Sequence, residues 1–206
     1  MDGRAKPGHD GGVAESRVLW TIGHSNYPIA RFLALLRGAG IQCVADVRSV
    51  PFSRRFPQFS RKALAASLRE AGIEYWFLGD ALGARPKDPA CYDNGRASYA
   101  RIAATAAFKD AIDALIAAEP LKRIALMCAE RQPLDCHRTI LVARALALRG
   151  CNIAHILADG RIMPQAEIEQ RLLTLAREGD DLFGDREAAL ARAYDKRAAR
   201  MEFTAG

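Results

Sequence analysis

The segment RIALMCAERQPLDCHRTILVARALALRG, residues 123–150, contains a short apolar run, a polar loop and a longer apolar run. The first run, RIALMCA, has the length and composition of a buried strand, and the last, TILVARALALRG, is long enough for a helix that ends at Gly150. A strand followed by a helix is the repeating unit of a parallel α/β sheet. The segment therefore predicts one such unit, with its polar loop at the carboxyl end of the strand.

The same order of strand and helix recurs along the chain. The predicted strands are residues 18–23, 43–48, 74–79, 123–129 and 151–158, and helices follow at about 27–38, 61–71, 98–118 and 139–149, with further helices from residue 164 onward. The strands are apolar at nearly every position, which is typical of strands buried on both faces of a sheet. The chain is therefore predicted to form a three-layer α/β fold, with a mostly parallel sheet of about five strands flanked by helices and a helical C-terminal extension.

The chain length of 206 residues suits one domain with a modest extension. Residues 1–15 contain glycine, proline and charge without apolar periodicity, which predicts a disordered tail. Residues 16–163 hold all the predicted strands and form the α/β domain that carries the polar site. Residues 164–206 form the predicted helical extension, whose helices have charged faces.

The composition indicates a cytoplasmic protein of ordinary globular character. Half of the residues are hydrophobic, and no apolar run approaches the roughly 20 residues that cross a bilayer. The N-terminus lacks the apolar core of a secretion signal, and an odd number of cysteines, five, favours reduced thiols over disulfides. A membrane partner is therefore not expected, whereas the net charge of +6 permits an acidic one.

Distinctive polar residues follow the predicted strands, at the edge where open α/β sheets bind ligands. His24 and Ser25 come directly after the first strand. Asp46 and Arg48 lie two positions apart at the end of the second strand, and so on the same face of it. The fourth strand leads into the polar loop 128–138. This clustering predicts a functional site at the carboxyl edge of the sheet.

The residue types at this edge suggest separate roles. The predicted catalytic residues are His24, Asp46, Glu130, Cys136 and His137, and the predicted substrate-binding residues are Ser25, Arg48, Arg131 and Arg138. Imidazole, carboxyl and thiol groups can act as acid, base or nucleophile, and guanidinium groups bind anions. Asp46 also has a structural interpretation, because a buried carboxylate needs a partner, which Arg48, His24 or Arg131 could supply. His155, within an apolar strand, is expected to be a hydrogen-bonded core residue.

The loop 128–138 allows three kinds of chemistry. Free backbone N–H groups at the start of the next helix, with two arginines of the loop, could hold a phosphate or carboxylate, and this anion site needs the least special geometry. Cys136 beside His137 near a helix N-terminus could instead be a reactive thiolate. A metal site ranks last, because seven residues separate Cys128 from Cys136 and the chain has no CxxC pair. No metal ligand is therefore assigned, and the residues single out no cofactor.

Five motifs together resemble the prokaryotic family called domain of unknown function 488. They are TIGHSN (21–26), ADVRSVPFSRRFPQFS (45–60), YWFLGDALGARP (75–86), MCAERQPLDCHR (127–138) and HILADG (155–160). The resemblance extends from about Trp20 to Gly160, and it implies a compact α/β domain with a shared polar site but no established reaction. The motif residues that it implies are His24, Ser25, Asp46, Arg48, Gly79, Leu82, Gly83, Cys128, Glu130, Cys136, His137 and Arg138.

The favoured functional hypothesis is an enzyme that binds a phosphorylated or other anionic substrate, such as a nucleotide, at this edge. The groups suit a hydrolase or a transferase and do not distinguish between them. The second hypothesis is a nucleic-acid-binding or nucleic-acid-processing module that uses Arg54, Arg55, Phe56 and Phe59. The third is a ligand-sensing domain without chemistry. The expected partners are an anionic small molecule or a nucleic acid, and the alanine-rich helix faces could pack a homodimer.

Overall fold

The computed structural model describes residues 18–178 and 185–203. The strands are β1 (Val18–Gly23), β2 (Cys43–Asp46), β3 (Glu74–Phe77), β4 (Tyr92–Asp93), β5 (Arg96–Ala97), β6 (Ile124–Cys128), β7 (Asn152–Ile156) and β8 (Ile162–Pro164). The helices are α1 (Ile29–Gly38), α2 (Arg61–Glu70), α3 (Gly79–Leu82), α4 (Tyr99–Ala104), α5 (Ala106–Ala118), α6 (Arg144–Leu148), α7 (Gln165–Ala176) and α8 (Arg186–Met201). A π-helical stretch, Arg138–Ala143, leads directly into α6.

The main sheet has the strand order β3-β2-β6-β1-β7-β8, and all of its strands except β8 are parallel. In this register Gly23 lies beside Cys128, and Asp46 lies beside Met127. The carboxyl ends of β1, β2 and β6 therefore meet at one edge of the sheet. The predicted α/β fold with a mostly parallel sheet is confirmed, and the sheet has one strand more than the five expected.

Helices cover both faces of the sheet, which gives the three predicted layers. On one face, α1 and α2 bury Phe32 and Leu68 in a core that also contains Met127 of β6. On the other face, Leu115 of α5 lies in a second core with Leu126 and Cys128. Successive side chains of a strand point to opposite faces. Cys128 therefore belongs to the face that the π-helical stretch and α6 cover.

Two elements differ from the sequence prediction. The single helix expected over residues 98–118 is two helices, α4 and α5, because Thr105 between them has extended backbone and caps α5 by accepting a hydrogen bond from the N–H of Phe108. The short strand β8 pairs antiparallel with β7, with Ile162 beside Ile156. Three residues are too few for an apolar pattern, so the sequence does not predict this strand.

The C-terminal helices pack into the same core as the sheet. Leu172 and Leu173 of α7 and Tyr194 of α8 are buried in the core that contains Leu126. The side-chain amide of Gln165 donates to the Tyr194 hydroxyl at 2.6 Å and ties the two helices together. The predicted N-terminal tail, residues 1–15, lies outside the described residues. In the described part of the chain, every helix is too short or too polar to cross a membrane.

His155 is the hydrogen-bonded core residue that the sequence predicts. It lies fully buried in β7, where Nδ1 accepts from the Thr21 hydroxyl at 2.9 Å and Nε2 donates to Oε1 of Gln165 at 2.7 Å. Burial lowers the pKa of His155 to about 4, although the bond to Gln165 raises it. The imidazole is therefore neutral near pH 7.

Acidification is expected to destabilise the protein through His155. The unfolded chain takes up a proton on this residue below about pH 6.5, whereas the folded chain does so only below about pH 4. The free energy of unfolding is therefore unaffected above this range and falls as the pH decreases through it, by about 2 kcal/mol at about pH 5. Urea unfolding at neutral and acidic pH checks this, and His155→Gln should lose less stability on acidification. An equal loss in the two proteins would contradict the assignment.

Candidate functional site

The site lies where the chain leaves β1 and β6. The N–H of His24 donates to the carbonyl oxygen of Cys128 at 2.9 Å, and the N–H of Ser25 donates to that of Ala129 at 2.8 Å. The pairing of β1 with β6 therefore continues into the two loops. Gly23 permits this approach, because a Cβ at that position would lie 1.9 Å from the carbonyl oxygen of Glu130. The loop after β6 therefore lies directly across the end of β1.

Asp46 and Arg48 form a buried ion pair at the end of β2. The Arg48 guanidinium donates to both carboxylate oxygens, from Nε at 2.8 Å and from Nη2 at 2.6 Å. The backbone N–H of Arg48 and the hydroxyl of Tyr75 donate to the same carboxylate at 3.1 and 2.8 Å. Burial lowers the pKa of Arg48, but its bonds to Asp46 outweigh this and hold the pKa above its usual value. Among the partners proposed for Asp46, the structure selects Arg48.

His24 is held between Arg48 and the backbone. Its Nε2 accepts from Nη1 of Arg48 at 3.1 Å, and its Nδ1 donates to the carbonyl oxygen of Ser25 at 2.8 Å. The ring stacks on Phe59, with the two ring centroids 4.1 Å apart. Burial and the neighbouring charge of Arg48 lower the pKa of His24 to about 4. The imidazole is therefore neutral, and both of its nitrogens are occupied.

Cys128, Glu130, Cys136 and His137 form a second buried group, which we call the thiol cluster. The two thiols donate to the same oxygen of Glu130, at 3.2 Å from Cys128 and 3.1 Å from Cys136. Nδ1 of His137 lies 3.5 Å from the sulfur of Cys128 and 3.9 Å from that of Cys136, while its Nε2 donates to the carbonyl oxygen of Val47 at 2.8 Å. The end of β6 and the start of the π-helical stretch thus bring together residues that are separated along the chain.

The surroundings of the two thiols in the cluster shift their pKa values in opposite directions. Burial raises the pKa of Cys136, but a hydrogen bond from Cys128, the cation of Arg138 and the contact with His137 outweigh it and hold the pKa below its usual value. Burial and the interaction with Cys136 raise the pKa of Cys128. Burial lowers the pKa of His137, but Cys136 raises it by more. Of the two thiols, Cys136 therefore ionises more readily.

Arg138 is buried beneath the loop after β6. Its Nη1 donates to the carbonyl oxygen of Glu130 at 2.6 Å, and its Nη2 donates to that of Arg131 at 3.2 Å. Among residues 18–178 and 185–203, its Nε has no hydrogen-bond partner and no carboxylate pairs with it. Arg138, predicted to bind an anion, therefore holds the loop in place instead. It also puts near the thiol cluster a positive charge that has no carboxylate partner in the described segments.

Ser25 and Arg131 lie on the exposed side of the same loops. The guanidinium of Arg131 donates to Oγ of Ser25 at 3.4 Å and to Oδ1 of Asn26 at 3.2 Å, and it lies over the ring of Tyr27 at 5.6 Å. Ser25 has a φ of 48°, a left-handed conformation that is strained for serine and is often found at functional sites. These contacts leave other Arg131 donors open to solvent.

Two adjoining cavities open onto the site. The first, of about 360 Å³, has the thiol cluster in its wall, and the second, of about 430 Å³, is lined by His24, Ser25, Asn26, Arg48, Arg55, Glu130 and Arg131 among others. Arg48 and Glu130 line both cavities. Seven of the nine predicted site residues line one or both cavities, and an eighth, Asp46, pairs with Arg48 beside them. The ninth, Arg138, lies beneath the loop after β6.

A family model for Domain of unknown function DUF488 matches residues 28–145, more than half of the chain. The chain belongs to the DUF488 family. The predicted family is thereby confirmed, and three of the five motifs lie within the matched residues. TIGHSN (21–26) and HILADG (155–160) lie outside them. The matched part contains Asp46, Arg48 and the whole thiol cluster, whereas His24 precedes it. Comparisons with curated proteins and with solved structures found no match.

The sequence did not indicate several residues that close the first cavity of this DUF488 protein. Tyr99 of α4, Met201 of α8 and Phe203 beyond it line this cavity together with the thiol cluster. The guanidinium of Arg85 lies over the ring of Phe203 at 4.3 Å, so the C-terminal segment is held against the loop after α3. Tyr99, Met201 and Phe203 belong to none of the five motifs, and no local pattern marks them.

Proposed function

We propose that this DUF488 protein is an enzyme that acts on an anionic substrate at the carboxyl edge of its sheet. One observation carries the proposal, namely that a thiol of lowered pKa, an imidazole and a carboxyl group converge on one cavity beside a second cavity lined by arginines. Strongly perturbed ionisable groups in a cleft are typical of catalytic sites, and binding an anion does not require a thiolate.

The reacting groups in this proposal are Cys136, His137 and Glu130. Cys136 supplies the nucleophilic thiolate, and His137, whose Nδ1 faces both sulfurs, exchanges protons with it. Glu130 accepts hydrogen bonds from both thiols and lines both cavities, so it can reach a substrate in either. A hydrolase and a transferase would both use these groups.

Substrate binding in this proposal depends on the exposed residues Arg131 and Ser25. Guanidinium groups bind phosphate and carboxylate oxygens through paired N–H donors. Arg48 contributes less, because Asp46, Phe59 and His24 already occupy four of the five N–H donors of its guanidinium. We assign Asp46 and His24 to positioning, since their side-chain polar atoms are engaged within the protein. Arg138 also has a positioning role, because it holds the loop through two carbonyl oxygens.

Cys136→Ser is expected to lower turnover by about a thousandfold or more, because a serine hydroxyl is not ionised in this environment. A panel of phosphate esters, acyl esters, mono- and trinucleotides and short oligonucleotides serves to find the substrate of the wild-type protein. Cys151→Ser is the matched control, because Cys151 directly precedes β7 and so lies at the opposite edge of the sheet. Equal turnover in the two variants would show that the thiol cluster does not carry the reaction.

A second candidate function, nucleic-acid binding, is favoured by the loop after β2. Phe52 is 66% exposed and Val50 is 58% exposed, and both line the two cavities. Arg54 and Arg55 are exposed in the same loop, and exposed aromatic and arginine side chains suit base stacking and phosphate contacts.

Phe59 does not belong to such a surface, contrary to the sequence-based hypothesis. It is fully buried between His24 and Phe32, because the short helical turn that contains it folds under the loop. The oligonucleotides of the substrate panel separate the two functions. Salt-sensitive oligonucleotide binding that persists in Cys136→Ser, without turnover of any compound, would favour the nucleic-acid module.

A further inference from the structure

Three side chains of the thiol cluster present metal-ligand atoms to a common point. The sulfurs of Cys128 and Cys136 and a ring nitrogen of His137 all lie within 4.8 Å of one another, and all three side chains are buried. Two thiolates and one imidazole form a typical ligand set for zinc. We propose that Cys128, Cys136 and His137 bind a thiophilic divalent cation, Zn²⁺ above all.

The separations of these atoms fit a tetrahedral ion. Bond lengths of about 2.3 Å for Zn–S and about 2.0 Å for Zn–N place a sulfur and a nitrogen ligand about 3.6 Å apart. Nδ1 of His137 lies 3.5 Å from one sulfur and 3.9 Å from the other. Both sulfur–nitrogen separations therefore lie within a few tenths of an ångström of those around a tetrahedral ion.

The orientation of His137 is that of a metal-binding histidine. Its Nε2 donates to the carbonyl oxygen of Val47 at 2.8 Å, so Nδ1 is the nitrogen that faces the sulfurs. Zinc-binding histidines almost always donate their second ring N–H to a carbonyl or carboxylate, which fixes the ring and makes the coordinating nitrogen more basic. Val47 lies in the loop after β2, and the ring is therefore held by a different part of the sheet from the two cysteines.

The surrounding charges also favour a cation held by two thiolates. Each sulfur now donates to Glu130, and a cation would replace the protons that make these bonds. Arg138 contributes a buried positive charge with no carboxylate partner among the described residues. A positive charge beside the cluster favours thiolates over neutral thiols, and cysteines bind a metal ion as thiolates.

Three protein ligands leave one coordination position free, which is the arrangement of catalytic zinc sites and not of structural ones. The three side chains line the first cavity, and that position therefore opens toward it. A catalytic role for the bound cation rests on the proposed function. In that case Cys136 acts as a metal ligand instead of a nucleophile. The binding of the cation itself requires no turnover and can be measured alone.

The test uses the full-length protein, reduced and kept under nitrogen. It is stripped with a chelator, dialysed against Zn²⁺ and then against buffer, and its zinc content is measured by atomic absorption. We expect about one zinc ion per chain, and Co²⁺ loaded in the same way should give intense visible bands together with a thiolate charge-transfer band. These Co²⁺ spectra on the wild-type protein count sulfur ligands without depending on any variant.

Two ligand variants and one control complete the test. Cys136→Ser and His137→Gln should each weaken Zn²⁺ binding by about 100-fold or more, since loss of an outer-shell partner alone costs roughly 10- to 100-fold. Cys151→Ser, distant from the cluster, should bind as the wild type does. Circular dichroism shows whether each variant is folded.

A wild-type protein that retains no zinc and gives no thiolate band with Co²⁺ would overturn the proposal, and so would a Cys151→Ser variant that loses as much affinity as Cys136→Ser. The result also separates this inference from the proposed function. Turnover that needs Cys136 in a protein that binds no zinc would refute the metal site alone. Zinc bound by a protein that turns over no compound of the panel would refute the enzymatic proposal alone.

Discussion

Asp46→Asn is expected to lower the free energy of unfolding by about 3–5 kcal/mol, because it leaves the buried guanidinium of Arg48 without its anionic partner. The carboxylate accepts four hydrogen bonds, three from Arg48 and one from Tyr75, and its side chain has no exposed surface. Asparagine keeps the shape but offers one acceptor oxygen and no charge. The residue beside it in the network, His24, would lose its orientation as Arg48 moves.

Urea unfolding at neutral pH measures this loss, with Asp195→Asn as the control. Asp195 also pairs with an arginine, Arg144, at 2.8 Å, but its side chain is 71% exposed. Such surface pairs contribute about 0–1 kcal/mol, so the control should remain close to the wild type. Similar losses in the two variants would mean that burial does not set the strength of the Asp46 pair. Tyr75→Phe, which removes one of the four hydrogen bonds, should cost about 1 kcal/mol.

Gly23→Ala is expected to lower the free energy of unfolding by about 3 kcal/mol, because the added methyl group would overlap backbone atoms that cannot rotate away. A Cβ at Gly23 would lie 1.9 Å from the carbonyl oxygen of Glu130 and 3.1 Å from Cα of Arg131. The loop after β6 must therefore move away from β1. We also expect weaker zinc binding in this variant, since the same loop joins Cys128 to Cys136.

Gly38→Ala is the matched control for Gly23→Ala. Gly38 is the last residue of α1, and a Cβ there would meet no atom within 4 Å. Alanine favours the helix over glycine, so this variant should be as stable as the wild type or more stable by up to about 1 kcal/mol. Thermal unfolding of the two variants measures both effects. A Gly23→Ala protein as stable as Gly38→Ala would show that the loop can shift at little cost.

Local patterns in the sequence determined most of the fold. The strand Val18–Gly23 was predicted to the residue, because an apolar, β-branched run ends there at a glycine. The helix Arg61–Glu70 lies between Ser60 and Gly72, residue types that are common at helix ends, although the Ser60 hydroxyl makes no capping hydrogen bond. Buried strands that alternate with helices leave few arrangements other than a parallel sheet, so the edge that carries the site could also be predicted.

Only the tertiary structure decided which of the residues at that edge contact one another. The strand order β3-β2-β6-β1-β7-β8 differs from the order of the strands in the chain, and it sets the loop after β6 between the loops after β1 and β2. As a result His24 after β1 meets Arg48 after β2, and His137 reaches the carbonyl oxygen of Val47. The sequence analysis ranked a metal site last because of the spacing of Cys128 and Cys136. Spacing along the chain does not show that the end of β6 and the start of the π-helical stretch lie side by side. Tyr99 and Phe203 reach the cavity for the same physical reason, since side-chain contacts between distant segments depend on how the helices pack on the sheet.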